Sequence, residues 1–372
     1  MSRRIITYGL FLILFFITGC EKSALRNFPF EKGRVELTHT PIDLNGIEYF
    51  FPMGELNVQP KDHGGFTLKG AYQFPANTAV YAPADGVVIQ VSHGQREVLA
   101  IPDAPQNVWH QTYDDHLLIL KVSETMMINF AHITDWSSEF EAKLPNKKFG
   151  EEGTDVAIEV NAGDILGYVG PHGAMDFSIT DTELDLDFLN PGRYPGHHIY
   201  SGNIFEYFEA GLRQNLESFA FRSQPPLGGK IDYDIKGKII GNWFLENTSN
   251  YTQWSRQLSI AYHHLYPDRI TISDGSPMRD VPGIEGPGAP DVWWVKGNAP
   301  APETIGVEEG LVKYELIYGK DHRDTYPFID ADRPVQAIML VQALNDDKIQ
   351  VEIFKGSTSS NAFTSAAKVY ER

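Results

Sequence analysis

The stretch from Phe74 to Val91 constrains this chain more tightly than any other. Ala79-Val80-Tyr81 reads as a strand, Pro83 and Asp85-Gly86 as a turn, and Val87-Val88-Ile89-Gln90-Val91 as a second strand. Proline presets φ and Asp-Gly tolerates the left-handed turn geometry, so β-branched residues on either side predict a hairpin. Val160–Gly170 repeats the design, with the turn Asn161-Ala162-Gly163-Asp164, the apolar strand Ile165–Val169 and the exit Gly170. Between the two blocks, Met127–Ile133 reads as a strand with His132 near its end. With 33 Gly, 23 Pro and 12% aromatic residues, the composition suits a β-rich, turn-rich protein rather than a helical one.

These three motifs, in this order, resemble the lysostaphin-type zinc endopeptidases of bacterial cell walls. Val80-Tyr81-Ala82-Pro83 before Asp85-Gly86 matches the family's hairpin, and Phe130-Ala131-His132 matches its tyrosine-x-histidine strand with Phe for Tyr. Gly163-Asp164-Ile165-Leu166-Gly167-Tyr168-Val169-Gly170 matches its Gly-x-x-(Leu/Ile)-Gly-x-x-Gly block. The resemblance spans residues 54–180 and implies a mostly β, duplicated-hybrid-motif domain with zinc as cofactor. Its implied chemistry is cleavage of peptidoglycan cross-links.

The ligand positions depart from that pattern. The first family motif is a histidine with an aspartate four residues later; His63 supplies the histidine, but Thr67 stands in the aspartate's place. An ungapped count back from Tyr81-Ala82-Pro83 puts Thr67 and Ala71 at the two positions instead. Asp62 adjoins His63, and neighbours on a strand point to opposite faces, so the two are not expected to share one ion. The family's closing histidine-x-histidine aligns with Ala174 and Asp176, followed by Phe177. Alternate strand residues share a face and so can reach one metal. The resemblance therefore leaves His63 and Asp176 as metal ligands, His172 as a possible third, and His132 as the catalytic proton-transfer residue. Against this stand plainer roles: His63 as a surface histidine in a Gly-rich loop, His172 as a turn residue and Asp176 as a turn cap. A working site requires His63, His132 and Asp176 to lie within about 5 Å of one point. Zinc is expected to be weakly held or absent, because a methyl group donates nothing to a metal.

Residues 1–20 read as a targeting segment. Arg3 and Arg4 precede the apolar run Ile5–Ile17, which is too short to span a bilayer comfortably. Ile17-Thr18-Gly19-Cys20 resembles a bacterial lipoprotein cleavage site, making Cys20 the lipidation site; it is the single cysteine, so no intrachain disulfide can form. Acyl chains would then anchor the chain outside the cytoplasm, facing the periplasm or at the cell surface. Lys+Arg 31 against Asp+Glu 49 gives −18, and loss of Arg3 and Arg4 leaves 29 − 49 = −20. Such a field repels phosphate backbones and argues against nucleic acid as a partner.

Residues 21–53 read as a linker and short strands, and residues 54–222 as the metallopeptidase-like domain. Asp181, Glu183, Asp185 and Asp187 would share one acidic face if that segment were a strand. Ile204, Phe205, Phe208, Leu212, Leu216 and Phe219 recur at helical spacing, which predicts a helix over Gly202–Phe221. The breakers Ser223–Gly229 mark a boundary. Residues 230–372 read as a second all-β domain, sandwich or barrel. Within it Gly241-Asn242-Trp243 resembles the Gly-x-Trp signature of lipocalin-like barrels, and residues 275–305 around Trp293 and Trp294 read as a long loop. His263-His264 reads as sheet decoration.

The expected protein is thus a cell-envelope lipoprotein whose peptidase-like domain has lost most of its zinc ligands. It would bind or scaffold cell-wall peptide, or regulate an envelope hydrolase. The alternatives are an active zinc endopeptidase and a small-ligand carrier using the C-terminal β domain; an apolar barrel interior would favour the carrier.

Overall fold

In the computed structural model, which describes residues 28–100, 104–145, 149–248, 251, 253–275, 291–297, 299–318 and 333–372, the chain is organised around two sets of β-strands. The first set begins with β1 (Ile47–Phe51), β2 (Leu56–Asn57), β3 (Gln59–Pro60), β4 (Gly64–Leu68), β5 (Thr78–Tyr81), β6 (Gly86–Glu97) and β7 (Thr112–Lys121). It continues with β8 (Met126–Ile133), β9 (Asp135–Trp136), β10 (Thr154–Val160), β11 (Ile165–Val169), β12 (Ala174–Asp181) and β13 (Ser201–Gly202). An 8-stranded sheet runs β1-β4-β12-β8-β7-β6-β10 with β13 beside β12, and a 3-stranded sheet runs β5-β11-β9. The targeting segment and Cys20 lie outside the described residues.

The hairpin expected at residues 74–91 does not pair with itself. The Asp85 carboxylate accepts the Ala162 N–H at 2.8 Å, and Gly163 N–H donates to Ala82 O at 2.8 Å, so the two predicted turns dock on each other. In consequence β5 pairs with β11 in the small sheet while β6 pairs with β10 in the large one. Each block crosses from one sheet to the other at its turn. The apolar sides meet in one core of Val80, Val88, Leu118, Ile128, Phe130, Leu166, Val169 and Phe177.

Two other expectations are corrected. The helix over Gly202–Phe221 is broken into a 3-10 turn at Ile204–Tyr207 and an α-helix at Ala210–Glu217. Leu37 causes the break: its N–H donates to Tyr207 O at 2.7 Å and its carbonyl accepts from Glu209 N–H at 3.1 Å, holding Phe208 and Glu209 extended between the two. Tertiary pairing overrides the helical periodicity there, although Phe205, Phe208 and Leu216 still reach the core. The acidic run 181–187 is not a strand beyond Asp181; that carboxylate ends β12 by accepting the Tyr207 hydroxyl at 3.0 Å and the Glu183 N–H at 3.1 Å.

The second set is β14 (Gly241–Leu245), β15 (Gln257–Tyr262), β16 (Ile270–Asp274), β17 (Asp291–Val295), β18 (Leu311–Tyr318), β19 (Ala337–Asn345), β20 (Lys348–Lys355) and β21 (Lys368–Glu371). They form a closed barrel. Alternate residues, among them Trp243, Leu258, Ile260, Ile272, Trp293, Tyr314, Leu316, Met339 and Val341, pack into one apolar cluster. Trp293 and Trp294 belong to β17, not to a loop; the breaker-rich residues 276–290 beside them lie outside the described residues. Gly241 has φ +119°, and a Cβ there would collide with the Asp234 carboxylate and stand 2.9 Å from Arg372 Nη2. Its small size lets the Arg372 guanidinium lie 3.8 Å from the Trp243 ring centre. That guanidinium donates to the carbonyls of Ile235 at 2.7 Å and Lys238 at 3.1 Å, closing the barrel end.

The two strand sets touch through several segments, Arg222 among them, which donates to His264 O at 2.6 Å. Val58 N–H, at the β2–β3 turn, donates to Ser273 Oγ at 3.1 Å. Phe188 and Tyr194 pack with Met53, Ile231 and Phe244, while Arg193 donates to Glu371 at 3.0 Å. His263 and His264 are buried rather than displayed on the sheet surface, the His263 ring lying beside Tyr266 and Trp294 and stacked on the His264 ring.

Candidate functional site

Three strands and one preceding loop bring the site together. β12 pairs with β4, placing Asp176 opposite Gly65, and with β8, placing Asp176 opposite Ala131. His63 sits just before β4, where Gly64 and Gly65 permit a close approach: Cβ atoms there would come within 2.5 Å of Phe51 O and 2.7 Å of Met175 O respectively. Asp62 and His63 precede the strand, so the alternation that would separate their side chains does not apply. His63 Nδ1 lies 3.0 Å from Asp62 Oδ1, which corrects the opposite-faces expectation.

His132 reaches the site through a bulge. Alternation along β8 buries Ile128 and Phe130, and would send His132 into the same core. Between the pairs His116↔Ile133 and Leu118↔Phe130, however, two residues of β8 (Ala131 and His132) stand opposite one residue of β7 (Leu117). His132 takes a left-handed φ of 69°, and Ile133 takes the core position. The imidazole then bridges two carboxylates: Nδ1 to Asp115 Oδ1 at 3.0 Å and Nε2 to Asp176 Oδ2 at 3.1 Å. His63 Nε2 lies 3.6 Å from the same Asp176 oxygen. His63, His132 and Asp176 therefore do converge.

The cluster extends on both sides. Asp115 is also paired with Arg96 from β6. At the other end Asp62 Oδ2 is 3.3 Å from His197 Nε2 and 3.9 Å from His198 Nδ1, both on the turn Gly196–Ile199. His172 lies flat on His132, with ring centres 3.6 Å apart, and its Nδ1 meets the Tyr113 hydroxyl at 2.9 Å. Acid and base thus alternate along a line from His197 through Asp62, His63, Asp176, His132 and Asp115 to Arg96.

The charges follow from this geometry. Burial opposes a charge on His132, but Asp176 and Asp115 outweigh it and raise its pKa to about 9. His63 is also raised, by Asp176 and Asp62 against burial. Burial likewise opposes ionisation of the carboxylates, yet Asp115 falls to about 2 under His132 and Arg96, and Asp176 and Asp62 are held far below the usual carboxylate range by the histidines around them. His172 is lowered to about 3 by burial and by the cation on His132 beside it, so it remains neutral.

The fit to zinc is partial. Thr67 and Ala174 are direct partners across β4 and β12, on the face that carries Asp176. The two positions where the resemblance asks for an aspartate and a histidine are therefore adjacent, and hold a hydroxyl and a methyl. Of the resemblance's ligands, His63 and Asp176 remain in place, while His172 is turned to Tyr113. Two donors do not complete the three protein ligands of a catalytic zinc shell. Among the described residues no group of three or more His, Cys, Asp or Glu is arranged to hold a metal ion.

Asp62, Asp115, Arg96, Tyr113 and His197 were not expected from the sequence. The last lies more than a hundred residues from the Asp62 carboxylate it meets, and no local motif marks any of them.

No known protein family matches this chain, and no curated protein matches it either.

Proposed function

We propose that the first β-unit is a cell-envelope binding module that recognises cell-wall peptide without cutting it. One observation carries the reading: Thr67 and Ala174 face each other beside Asp176, where a hydrolytic shell would need donor groups. The remaining donors satisfy one another, with Asp176 seated between two imidazoles and each imidazole backed by a second carboxylate. A charged His132 is a hydrogen-bond donor on both nitrogens and has no lone pair for a metal or for general-base work. The resemblance over residues 54–180 supplies the ligand class, and the lipoprotein-like segment ending at Cys20 supplies the location.

A second reading rests on a different feature of the same groups. Both His63 and His132 present Nδ1 to a carboxylate and Nε2 to Asp176, the arrangement by which second-shell carboxylates orient metal-binding histidines. That favours an active zinc endopeptidase in which His132 is a ligand. As for the carrier, the barrel interior has the apolar character it requires, but large side chains such as Trp243, Trp293, Tyr314 and Tyr370 occupy it.

Elemental analysis of the purified mature protein, with sedimentation and digestion assays on purified cell walls, separates these readings. The binding module sediments with walls, carries well under one zinc per chain and releases no peptide when zinc is added. One zinc per chain, with cleavage abolished by His132→Ala, overturns it in favour of the peptidase.

A further inference from the structure

The line of acids and bases in the candidate site ends on a base at both sides. Asp62, His63, Asp176, His132 and Asp115 each meet at least two partners of the opposite type, whereas His197 and Arg96 each meet one. Four bases thus share three acids, and the line has a place for one acid more.

Arg96 is the end that is open to a ligand. In the register of β6 with β7 it stands opposite Tyr113, and Gly94 stands opposite Asp115. Cross-strand partners share a face, so Arg96 projects on the face from which Tyr113 meets His172 and Asp115 meets His132. Glu97 and Asp114 turn to the other face, where they meet His110 and His93. Gly94 leaves the approach bare: its chain neighbours aside, the nearest group to a Cβ there would be Asp115 O, at 3.7 Å. Of the guanidinium, Nε is engaged by Asp115. Nη1 and Nη2 have no hydrogen-bond partner among the described residues, and the side chain is 49% exposed.

We propose that Arg96 anchors a carboxylate subsite, holding a free carboxylate of the cell-wall peptide on its outer pair of N–H groups. The proposal rests on the cell-wall reading above and names the group of the peptide that is recognised. A guanidinium keeps its charge at every working pH, and its flat outer edge presents two parallel N–H donors at the spacing of two carboxylate oxygens. Asp115 does not cancel that cation, because its second oxygen faces the His132 imidazole. A polyanion is disfavoured at the same place by Asp115 itself and by a chain charge of −18, whereas a single carboxylate completes the alternation.

The test is calorimetric titration of the full mature protein with two probes that each carry one carboxylate. Diacetyl-Lys-D-Ala-D-Ala carries it at the chain terminus, and acetyl-Ala-D-Glu-amide carries it on a side chain. Saturable binding of at least one probe is expected, and which of them binds identifies the source of the carboxylate. Converting that carboxylate to a carboxamide should weaken binding about 10-fold or more, the scale of a charge-assisted hydrogen-bond pair. Arg96→Gln should do the same to the charged probe. Arg96→Lys should lose less, and Arg213→Gln, in the exposed Arg213–Glu217 pair, should change nothing. The carboxamide comparison uses the unaltered protein and so does not depend on how a variant folds. No saturable binding of either probe, equal binding of the carboxamide, or wild-type affinity in a folded Arg96→Gln variant overturns the proposal. If the protein still sediments with cell walls in that event, the subsite fails while the binding-module reading stands.

Discussion

Replacing Asp176 with Asn removes the one negative charge that His63 and His132 share. The structure sets the size of the effect. His132 is 5% exposed, and its pKa of about 9 lies about 2.5 units above the ordinary 6.5. At about 1.4 kcal/mol per unit, this amounts to about 3 kcal/mol of interaction with the charged ring. The unfolded chain releases this proton near 6.5 and the folded chain holds it to about 9. The stabilisation is therefore complete below 6.5 and is lost as pH rises through 9. Asp176 is the leading attraction and Asp115 the remainder, so Asp176→Asn should lower the His132 midpoint by about 1–2 units and cost about 2 kcal/mol near neutrality. Urea unfolding of chelator-treated protein at about pH 6 and about pH 10, with the His132 ring proton followed by NMR, measures both quantities. The wild type should lose stability across that interval, and the variant should lose markedly less. If His132 titrates at or below 6.5 in the wild type, the bridged-imidazolium account of the cluster is wrong.

Gly241→Ala forces a side chain against Asp234 and into a left-handed backbone, and should destabilise the barrel by more than about 3 kcal/mol in a urea melt. Buried His198, its pKa lowered to about 4 chiefly by desolvation, opposes folding as the unfolded chain takes up a proton below 6.5. Stability should therefore fall between pH 6.5 and 4, and His198→Phe should flatten that acid limb. A protein spanning residues 230–372 should melt cooperatively on the strength of the barrel's own cluster, but at a lower temperature than the full chain, because Phe244 loses Tyr194 and Phe188. Cys20→Ala should abolish incorporation of labelled fatty acid; label persisting on that variant counts against the lipoprotein reading.

Much of the architecture was legible because it follows from short-range chemistry. The β-rich character and the strand carrying His132 are both written in local alternation and turn residues. The failures share a cause in tertiary pairing. At Asp85 and Gly163 two good turns bind each other, which sends strands adjacent in sequence into different sheets. At Leu37 a single residue's backbone pairs with residues 207–209 and cuts a helix whose periodicity was sound.

The site shows the same division more sharply. His63 and Asp176 were assigned to one place by a resemblance, and their meeting follows from the pairing of β12 with β4. His132 is different: on an unbroken strand it belongs to the core with Phe130 and Ile128, and a buried charged imidazole there would have no partner. The single extra residue opposite Leu117 turns it to the other face, where Asp115 and Asp176 are waiting. Nothing in Phe130-Ala131-His132-Ile133 encodes that extra residue, since a bulge is a property of two strands together. Asp115 was invisible for the same reason, being meaningful only once β7 lies beside β8 with the slip in place. A substitution that restored regular register, rather than one that altered His132 itself, would therefore dismantle the cluster while leaving every one of its residues intact.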